Sequence, residues 1–239
     1  MKQHLDDLKV KIFADGADVD SMKAMTKNPY VKGFTTNPTL MKKAGVSDYE
    51  KFAEFVAKEF SNYPVSLEVF SDDLSIMAKQ AEKIASYGDN IYVKIPVSNS
   101  KGESTKELIR DLTLEGVNLN VTAITLLNQV ESVFDASQGQ ASVVVSVFAG
   151  RIADTGVDPL PIMKESSNIL KPKPNLQLLW ASPREIFNIF QADEVGCHII
   201  TVANSMLSKL NLIGKDLKEY SLETVRMFYE DAQSAGYNI

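Results

Sequence analysis

The sequence predicts an α/β fold, a single (β/α)8 or TIM barrel with an extra C-terminal helix, and three observations support this prediction. Short apolar runs alternate with segments of helical period, which indicates about eight βα units around a parallel sheet. The 239 residues, 44% of them apolar, suffice for the core of one such barrel. No linker rich in Pro, Gly or Ser divides the chain, so we predict one domain over residues 1–239. An open doubly wound sheet is the alternative.

Eight apolar runs are predicted to form the strands. In chain order they are residues 10–14, 31–34, 65–70, 90–97, 116–122, 141–148, 176–180 and 197–202. Continuous apolar runs of this kind are typical of parallel strands that are covered on both faces. The first run is followed by Asp15-Gly16 and not by a glycine-rich phosphate loop, which weakens the nucleotide-binding alternative.

Helices are predicted between the strands from capping and breaking residues. Their approximate ranges are 18–27, 39–44, 47–60, 72–87, 103–115, 125–136, 158–170, 182–191 and 205–210. Asp18 is predicted to cap the first helix, and Ser47 with Glu50 to form a capping box. Ser182 and Pro183 are predicted to open a helix. A last helix at about 221–235 is a candidate for contacts between copies of the chain.

Composition excludes several classes of function. A net charge of −6 argues against a nucleic-acid partner or a basic membrane patch. One cysteine, Cys197, forms no internal disulfide, and with two histidines the chain offers no cluster of metal ligands, so we predict no metal site. No apolar run approaches the length of a membrane span, and the first residues do not resemble a signal peptide. We therefore expect a cytoplasmic location.

One lysine, Lys94, stands within the fourth apolar run and requires an explanation. An ammonium group buried there without a partner would be costly. Pro96 cannot donate a ladder hydrogen bond, which places Lys94 near the carboxyl end of its strand. The lysine either extends its amine to the strand end as an ion-pair partner or is a reactive amine. Taken alone, the residue favours the structural explanation.

Polar residues occur at nearly every predicted strand end, and in a barrel these ends converge on one face. They are Asp15, Thr35, Thr36, Asn37, Glu68, Lys94, Asn120, Thr122, Ser146, Arg151, Ser182 and Arg184. Taken singly, most are explained as helix caps, turn formers or core amides. Three charged residues in three apolar strands, Asp15, Glu68 and Lys94, are more readily explained if they pair with one another.

This set of residues suits imine catalysis. An unprotonated lysine amine attacks a ketone, and the resulting iminium withdraws electrons, so that a neighbouring carbon–carbon bond can break. Asp15 is a candidate to take the proton from the hydroxyl of the released carbon, and Glu68 to orient a water. Arg151 and Arg184 suit a phosphate, and Ser182 at a helix start would add N–H donors.

Six short motifs in this order resemble the transaldolase family, in its group of short-chain transaldolases and fructose-6-phosphate aldolases. The resemblance covers nearly the whole chain. The motifs are Phe13-Ala14-Asp15, Thr35-Thr36-Asn37-Pro38, Val93-Lys94-Ile95-Pro96, residues 116–122, Phe148-Ala149-Gly150-Arg151 and Ala181-Ser182-Pro183-Arg184. The resemblance implies a barrel of the class I aldolase type without a cofactor. It also implies transfer of a dihydroxyacetone unit from a ketose phosphate, such as fructose 6-phosphate or sedoheptulose 7-phosphate, to an aldose phosphate in the pentose phosphate pathway.

The resemblance also implies roles for individual residues. Lys94 would form the Schiff base, Asp15 would be the acid and base, and Glu68 with Thr122 would bind the catalytic water. The predicted substrate-binding residues are Thr35, Asn37, Asn120, Ser146, Phe148, Arg151, Ser182 and Arg184. The last three of them, Arg151, Ser182 and Arg184, would bind the phosphate. Members of this group assemble as rings through the C-terminal helix, which implies a homo-oligomer, either a pentamer or a decamer.

Two positions separate the branches of that group. The transaldolases resemble this chain in having glutamate and phenylalanine where Glu68 and Phe148 stand, whereas the aldolases have glutamine and tyrosine. Transfer to an acceptor is therefore preferred over simple cleavage. Val147, Ala149 and Pro183 depart from the family pattern, so a fructose-6-phosphate aldolase and a transaldolase acting on sulfosugars remain alternatives. A sugar-phosphate-binding barrel without catalysis is the non-enzymatic alternative.

Overall fold

The computed structural model describes residues 5–237, which form a closed barrel of eight parallel strands. The strands are β1 (Lys11–Asp15), β2 (Val31–Thr35), β3 (Val65–Glu68), β4 (Ile91–Pro96), β5 (Leu119–Ile124), β6 (Val143–Val147), β7 (Leu176–Trp180) and β8 (Ile199–Ala203). β8 closes the barrel by pairing with β1, so that Ala203 lies opposite Asp15. The predicted (β/α)8 barrel is confirmed, and the open doubly wound sheet is wrong.

Helices connect the strands, and one long helix follows the barrel. They are α1 (Val19–Met25), α2 (Pro38–Lys43), α3 (Tyr49–Glu59), α4 (Leu74–Ala85), α5 (Lys106–Leu114), α6 (Leu127–Ala136), α7 (Ala149–Asp154), α8 (Leu160–Leu170), α9 (Phe187–Glu194), α10 (Asn204–Leu207) and α11 (Leu217–Ser234), with 3-10 turns at Leu5–Asp7 and Leu210–Leu212. Among the described helices, none combines the length and the apolar character needed to cross a bilayer.

The strands divide their side chains between two cores. Outward-facing residues such as Val93 and Ile95 are fully buried against the helices in the larger core. Phe13, Val144 and Leu179 belong to a smaller apolar cluster that fills the barrel interior. This alternation follows from the two-residue period of a strand. It leaves every second side chain of each strand directed into the barrel.

Gly33 shows how tightly the interior cluster is packed. A Cβ atom at this position would lie 2.6 Å from the Phe13 ring, closer than packed carbon atoms approach. Gly33 and Phe13 are opposite each other in the β1–β2 register. The glycine therefore makes room for the aromatic ring in the barrel interior.

The helix starts only partly match the sequence predictions. Asp18 caps α1 as predicted, since its carboxylate accepts from the Ser21 N–H at 2.9 Å. The capping box of Ser47 and Glu50 is wrong, because Asp48 is the N-cap of α3 and accepts from the Lys51 N–H at 3.1 Å. Ser47 and Asp48 are adjacent candidates for the N-cap, and the direction in which the chain enters α3 places Asp48 in that position.

Two further predictions about helices are corrected. Ser182 and Pro183 do not open a helix: Ser182 has a left-handed conformation with φ of 62°, and α9 begins only at Phe187. The sequence also gave no indication of α7, the short helix that follows β6 directly. The C-terminal helix begins at Leu217, earlier than predicted, where Asp216 caps it through the Glu219 N–H.

Asp193 in α9 fastens the segment that leads into β1. One of its carboxylate oxygens accepts from the backbone N–H groups of Lys9 and Val10, at 2.7 and 2.8 Å. Asp193→Ala is expected to lower the free energy of unfolding by about 1–2 kcal/mol, because two hydrogen bonds to a charged acceptor are lost. Urea denaturation of both proteins would measure this loss.

The neighbouring variant Glu194→Ala is the matched control, since the Glu194 side chain is exposed and makes no hydrogen bond within residues 5–237. Equal losses in the two variants would contradict the role given to Asp193.

Candidate functional site

A cavity of about 470 Å3 opens at the carboxyl ends of the barrel strands. It contains the predicted site residues except Glu68 and Arg184. Those that line it are Asp15, Thr35, Asn37, Lys94, Asn120, Thr122, Ser146, Phe148, Arg151 and Ser182. Barrel closure brings these residues together from loops and strands along most of the chain, as expected for the carboxyl face of a parallel barrel.

Lys94 points into the barrel from β4. Its neighbours Val93 and Ile95 face outward and are fully buried, whereas Lys94 is half-buried and lines the cavity. The Nζ atom donates to the backbone carbonyl of Thr36 at 2.6 Å. In the strand register Lys94 lies opposite Glu68 of β3 on one side. The amine is therefore held inside the cavity and not extended along the strand toward the surface.

Asp15, at the end of β1, accepts hydrogen bonds from the segment after β2. Thr35 Oγ1 donates to Asp15 Oδ1 at 2.8 Å, and Asn37 Nδ2 lies 3.5 Å from Oδ2. Asn37 also caps α2 through the Leu40 N–H, which fixes the direction of its side chain. Burial raises the pKa of Asp15, and the charge of Lys94 offsets only part of this effect.

Glu68 ends β3 and is only 5% exposed, next to the cavity. Its Oε2 lies 2.6 Å from Thr36 Oγ1. Burial raises the pKa of Glu68, while the positive charge of Lys94 acts in the opposite direction. Within residues 5–237, Glu68 Oε1 and Thr122 Oγ1 are buried without a hydrogen-bond partner. Both atoms therefore keep their capacity to bind a further polar group.

Thr122 lies on the same inward face of β5 as Asn120, and a backbone irregularity follows it directly. The β5–β6 register shifts between Val121 and Ile124, and Ala123 adopts a left-handed conformation with φ of 64°. One extra residue is thus inserted, so that Ile124 returns to the outer core while Thr122 lines the cavity. Such strain in a residue other than glycine is typical of functional sites.

Three hydroxyl-bearing residues of the site were not among the predicted site residues. Ser66 accepts from Asn120 Nδ2 at 2.9 Å, and Asn120 Oδ1 in turn accepts from Ser146 Oγ at 2.6 Å. Thr201 of β8 lines the cavity and contacts the Thr35 hydroxyl. Thr36 contacts both Glu68 and Lys94. Thr36 stood in a motif singled out from the sequence, whereas Ser66 and Thr201 lie inside apolar runs where only the strand register reveals an inward direction.

The loops after β6 and β7 meet at the rim of the cavity. A Cβ atom on Gly150 would lie 1.6 Å from the Ser182 carbonyl oxygen, so only glycine permits this approach. Arg151 is exposed, with its guanidinium 5.5 Å from the centre of the Phe148 ring. This rim presents a cation and a hydroxyl to the cavity, which suits an anionic group.

Arg184 is not brought into the cavity lining. Its guanidinium makes a two-point contact with Asp154, including Nε to Oδ1 at 2.9 Å. The hydrogen bonds from Arg184 hold the pKa of Asp154 below its usual value. Of the two arginines predicted at the site, only Arg151 therefore lines the cavity. Arg184 lies outside the lining and is paired with the Asp154 carboxylate.

Comparison with known proteins settles the family. The model of the transaldolase/fructose-6-phosphate aldolase family matches residues 12–239. The chain belongs to this family. The family resemblance that the motifs predicted is thereby confirmed, and the chain is an enzyme of the transaldolase type.

Several similar proteins carry the name probable transaldolase. One from Thermoanaerobacter sp. is 32% identical over 231 residues, which cover 96% of this chain and 100% of the relative. Another from Dehalococcoides mccartyi is 34% identical and covers 84% of this chain and 90% of the relative. A third from Thermoplasma volcanium is 35% identical, with 84% and 87% covered.

A solved structure of a designed, cube-shaped protein cage built by fusing symmetric oligomeric domains is similar in fold. It has a TM-score of 0.57 and 10% identity, and the match covers 96% of this chain and 80% of that one. This likeness concerns the fold alone. The roles of individual residues in this family member stay predictions from the motifs and the geometry above.

The raised pKa of Glu68 predicts that its ionised form costs stability. In the folded state the proton is held more tightly than in the unfolded chain, so the stabilisation is complete at low pH and is lost as the pH rises through the folded-state pKa. Glu68→Gln is therefore expected to melt at a higher temperature than the wild type at about pH 8, with the difference shrinking toward about pH 4. Calorimetry across this range would measure it.

Glu194→Gln is the matched control for that experiment, because the Glu194 side chain is exposed and makes no hydrogen bond within residues 5–237, so the variant should melt close to the wild type at each pH. A Glu68→Gln variant that melts lower than the wild type, with a deficit that grows as the pH rises, would contradict the prediction.

Proposed function

We propose that the protein is a transaldolase that transfers a dihydroxyacetone unit from a ketose phosphate to an aldose phosphate through a Schiff base at Lys94. Fructose 6-phosphate and sedoheptulose 7-phosphate are the proposed donors, which places the reaction in the pentose phosphate pathway. The observation that carries the proposal is the position of Lys94 in the cavity, with two carboxyl groups of raised pKa, Asp15 and Glu68, interacting with its charge.

The proposed reaction begins with attack of the Lys94 amine on the ketone carbon of the donor. The carbinolamine loses water to give an iminium, and Glu68 with Thr122 would hold the water that leaves and later returns. Their unpartnered buried oxygens support this role. Asp15 would then take the proton from the hydroxyl of the carbon that is released; this hydroxyl becomes the aldehyde carbonyl, and the carbon–carbon bond breaks as its electrons move into the iminium.

The enamine that remains on Lys94 would attack the carbonyl carbon of the acceptor. Asp15 returns its proton to the new hydroxyl, and hydrolysis of the iminium releases the product. The network of Ser66, Asn120 and Ser146 fixes the amide and hydroxyl that would orient the polyol. Arg151 and Ser182 at the rim would hold the terminal phosphate, for which a guanidinium is suited.

Transfer is favoured over release of free dihydroxyacetone because of Phe148. This residue lines the cavity with a ring that has no hydroxyl to place a water against the enamine. An aldolase of the fructose-6-phosphate type and a transaldolase for sulfosugars are the alternatives. Release of dihydroxyacetone at a rate unaffected by erythrose 4-phosphate would support the first, and turnover of a ketose sulfonate but not the phosphate would support the second.

Borohydride reduction in the presence of fructose 6-phosphate is expected to inactivate the protein and to attach a ketose-derived mass to Lys94. The iminium is the only species in the proposed scheme that borohydride would fix on a lysine. Mass spectrometry of the digested protein would locate the added mass. Lys94→Met should abolish both the trapping and the activity.

Lys173→Met is the matched control for trapping. Lys173 is also a half-buried lysine that donates to backbone carbonyls, of Phe134 and Ser137, but it precedes β7 and does not line the cavity. Trapping should persist in this variant. A label on another lysine, or no label, would overturn the assignment of Lys94.

We further propose that α11 mediates assembly with other copies of the chain, as a pentamer or decamer. None of its side chains is buried, although Leu217, Leu222, Val225, Phe228 and Tyr229 are large and apolar or aromatic. These five side chains fall on one stripe of the helix by its 3.6-residue period. A contiguous exposed apolar surface of this kind is typical of a protein interface.

A charge placed on this stripe is expected to break the assembly. Val225→Glu, at a position that is 61% exposed, should reduce the molar mass measured by light scattering toward that of the monomer, because a buried charge in the interface is costly. Glu230→Lys changes a charge outside the stripe and should leave the mass unchanged. A wild-type protein that is monomeric at high concentration would exclude this role of α11.

A further inference from the structure

The Thr36 hydroxyl lies within hydrogen-bond distance of two oxygen atoms, a backbone carbonyl that also accepts from the Thr36 N–H at 3.2 Å and a carboxyl oxygen. Thr36 Oγ1 is 2.8 Å from the carbonyl oxygen of Ser66 and 2.6 Å from Glu68 Oε2. Thr36 is fully buried. A carbonyl oxygen and an ionised carboxylate only accept hydrogen bonds, and a hydroxyl carries one proton. An ionised Glu68 would therefore leave one of these two close contacts without a hydrogen.

A proton on Glu68 Oε2 supplies a hydrogen to each of these two close contacts. Glu68 then donates to Thr36 Oγ1, and Thr36 donates to the Ser66 carbonyl, so that each close contact contains one hydrogen. Such a chain of donors and acceptors suits a site where an unpaired polar group would be costly. The hydrogen-bond count thus indicates a neutral carboxylic acid.

We propose that Thr36 is a positioning residue that holds Glu68 as a neutral acid with its proton on Oε2. The catalytic consequence of this inference rests on the proposed function. Its structural part, the position of the proton, rests on the contacts of Thr36. The Thr36 carbonyl also accepts from Lys94 Nζ at 2.6 Å. One buried residue thus contacts both the proposed nucleophile and the proposed acid.

The charged and titratable groups around Glu68 come from three other elements. Lys94 of β4 favours the ionised form, and Asp15 of β1 disfavours it. Tyr49 of α3 donates its hydroxyl to the Glu68 backbone carbonyl at 2.9 Å. A Thr36 hydroxyl that donated to the Glu68 carboxylate would lower its pKa, whereas a hydroxyl that accepts from Glu68, as proposed, favours the protonated form.

A neutral Glu68 supplies the proton that loss of water from the carbinolamine requires. The carbinolamine hydroxyl takes the proton by way of a bound water, its carbon–oxygen bond breaks, and the nitrogen lone pair forms the carbon–nitrogen double bond. Glu68 is left ionised until water adds to the iminium and the proton returns. Without the Thr36 contact a smaller fraction of Glu68 would be protonated at neutral pH, so less of the enzyme could supply this proton.

Infrared difference spectroscopy of the full-length protein without substrate tests the proposal. The protonated carboxyl band of Glu68 is identified as the band that Glu68→Gln removes, and it is expected at neutral pH. In Thr36→Val, which keeps the branched shape, the band should move to higher frequency and disappear at a lower pH than in the wild type. Thr36→Ser keeps the hydroxyl and should restore the wild-type position.

Two results would overturn the proposal. One is the absence of the Glu68 band at neutral pH in the wild type, a measurement that does not require any Thr36 variant to fold. The other is a band that persists to higher pH in Thr36→Val, because a hydroxyl that donates to an ionised carboxylate lowers its pKa, and removing it would raise that pKa.

The catalytic consequence has a separate readout. Borohydride trapping at Lys94 should slow by about 10-fold in Thr36→Val, with its pH profile displaced, and recover in Thr36→Ser, since weakened acid catalysis slows iminium formation. If the wild type shows no trapping while the infrared bands behave as expected, the proposed function fails and the position of the proton stands. Trapping that is unchanged in rate and pH profile in Thr36→Val would instead overturn the catalytic role given to Thr36.

Discussion

The site depends on keeping an amine and two carboxyl groups together inside an apolar barrel. Lys94, Asp15 and Glu68 each lose solvation there, and an isolated charge at such a position would be strongly destabilising. Burial raises the pKa of both carboxyl groups, and the charge of Lys94 counteracts part of that rise. Each group is therefore tolerable because of the others, which explains why the three lie close together at the carboxyl end of the barrel.

Burial of both faces of the strands holds these three side chains in position. In β4 the outward residues Val93 and Ile95 are fully buried under the helices, so that the strand cannot rotate to expose Lys94. The aromatic and aliphatic cluster around Phe13 fills the interior below the polar residues. Interiors packed at this density hold their side chains in defined positions. The polar groups thus occupy a rigid layer above an apolar base.

The rim of the cavity is organised differently. Ser182 has a left-handed backbone, and its carbonyl oxygen approaches Gly150 more closely than any side chain would permit. Arg151 remains available over the Phe148 ring, whereas Arg184 is paired with Asp154. The two arginines at this rim therefore differ, since Arg151 lines the cavity and Arg184 is paired with a carboxylate beside it.

The sequence by itself determined the barrel and which polar residues stand at the ends of its strands. Apolar runs and capping residues depend on local chemistry, and they predicted all eight strands and the polar residues at their ends. The sequence did not determine the side-chain directions and pairings that depend on contacts between distant segments. The capping by Asp48, the left-handed Ser182 and the pairing of Arg184 with Asp154 each depend on how distant segments meet. The inward directions of Ser66 and Thr201 follow only from strand register and barrel closure, because a side chain inside an apolar run gives no local sign of which face it occupies.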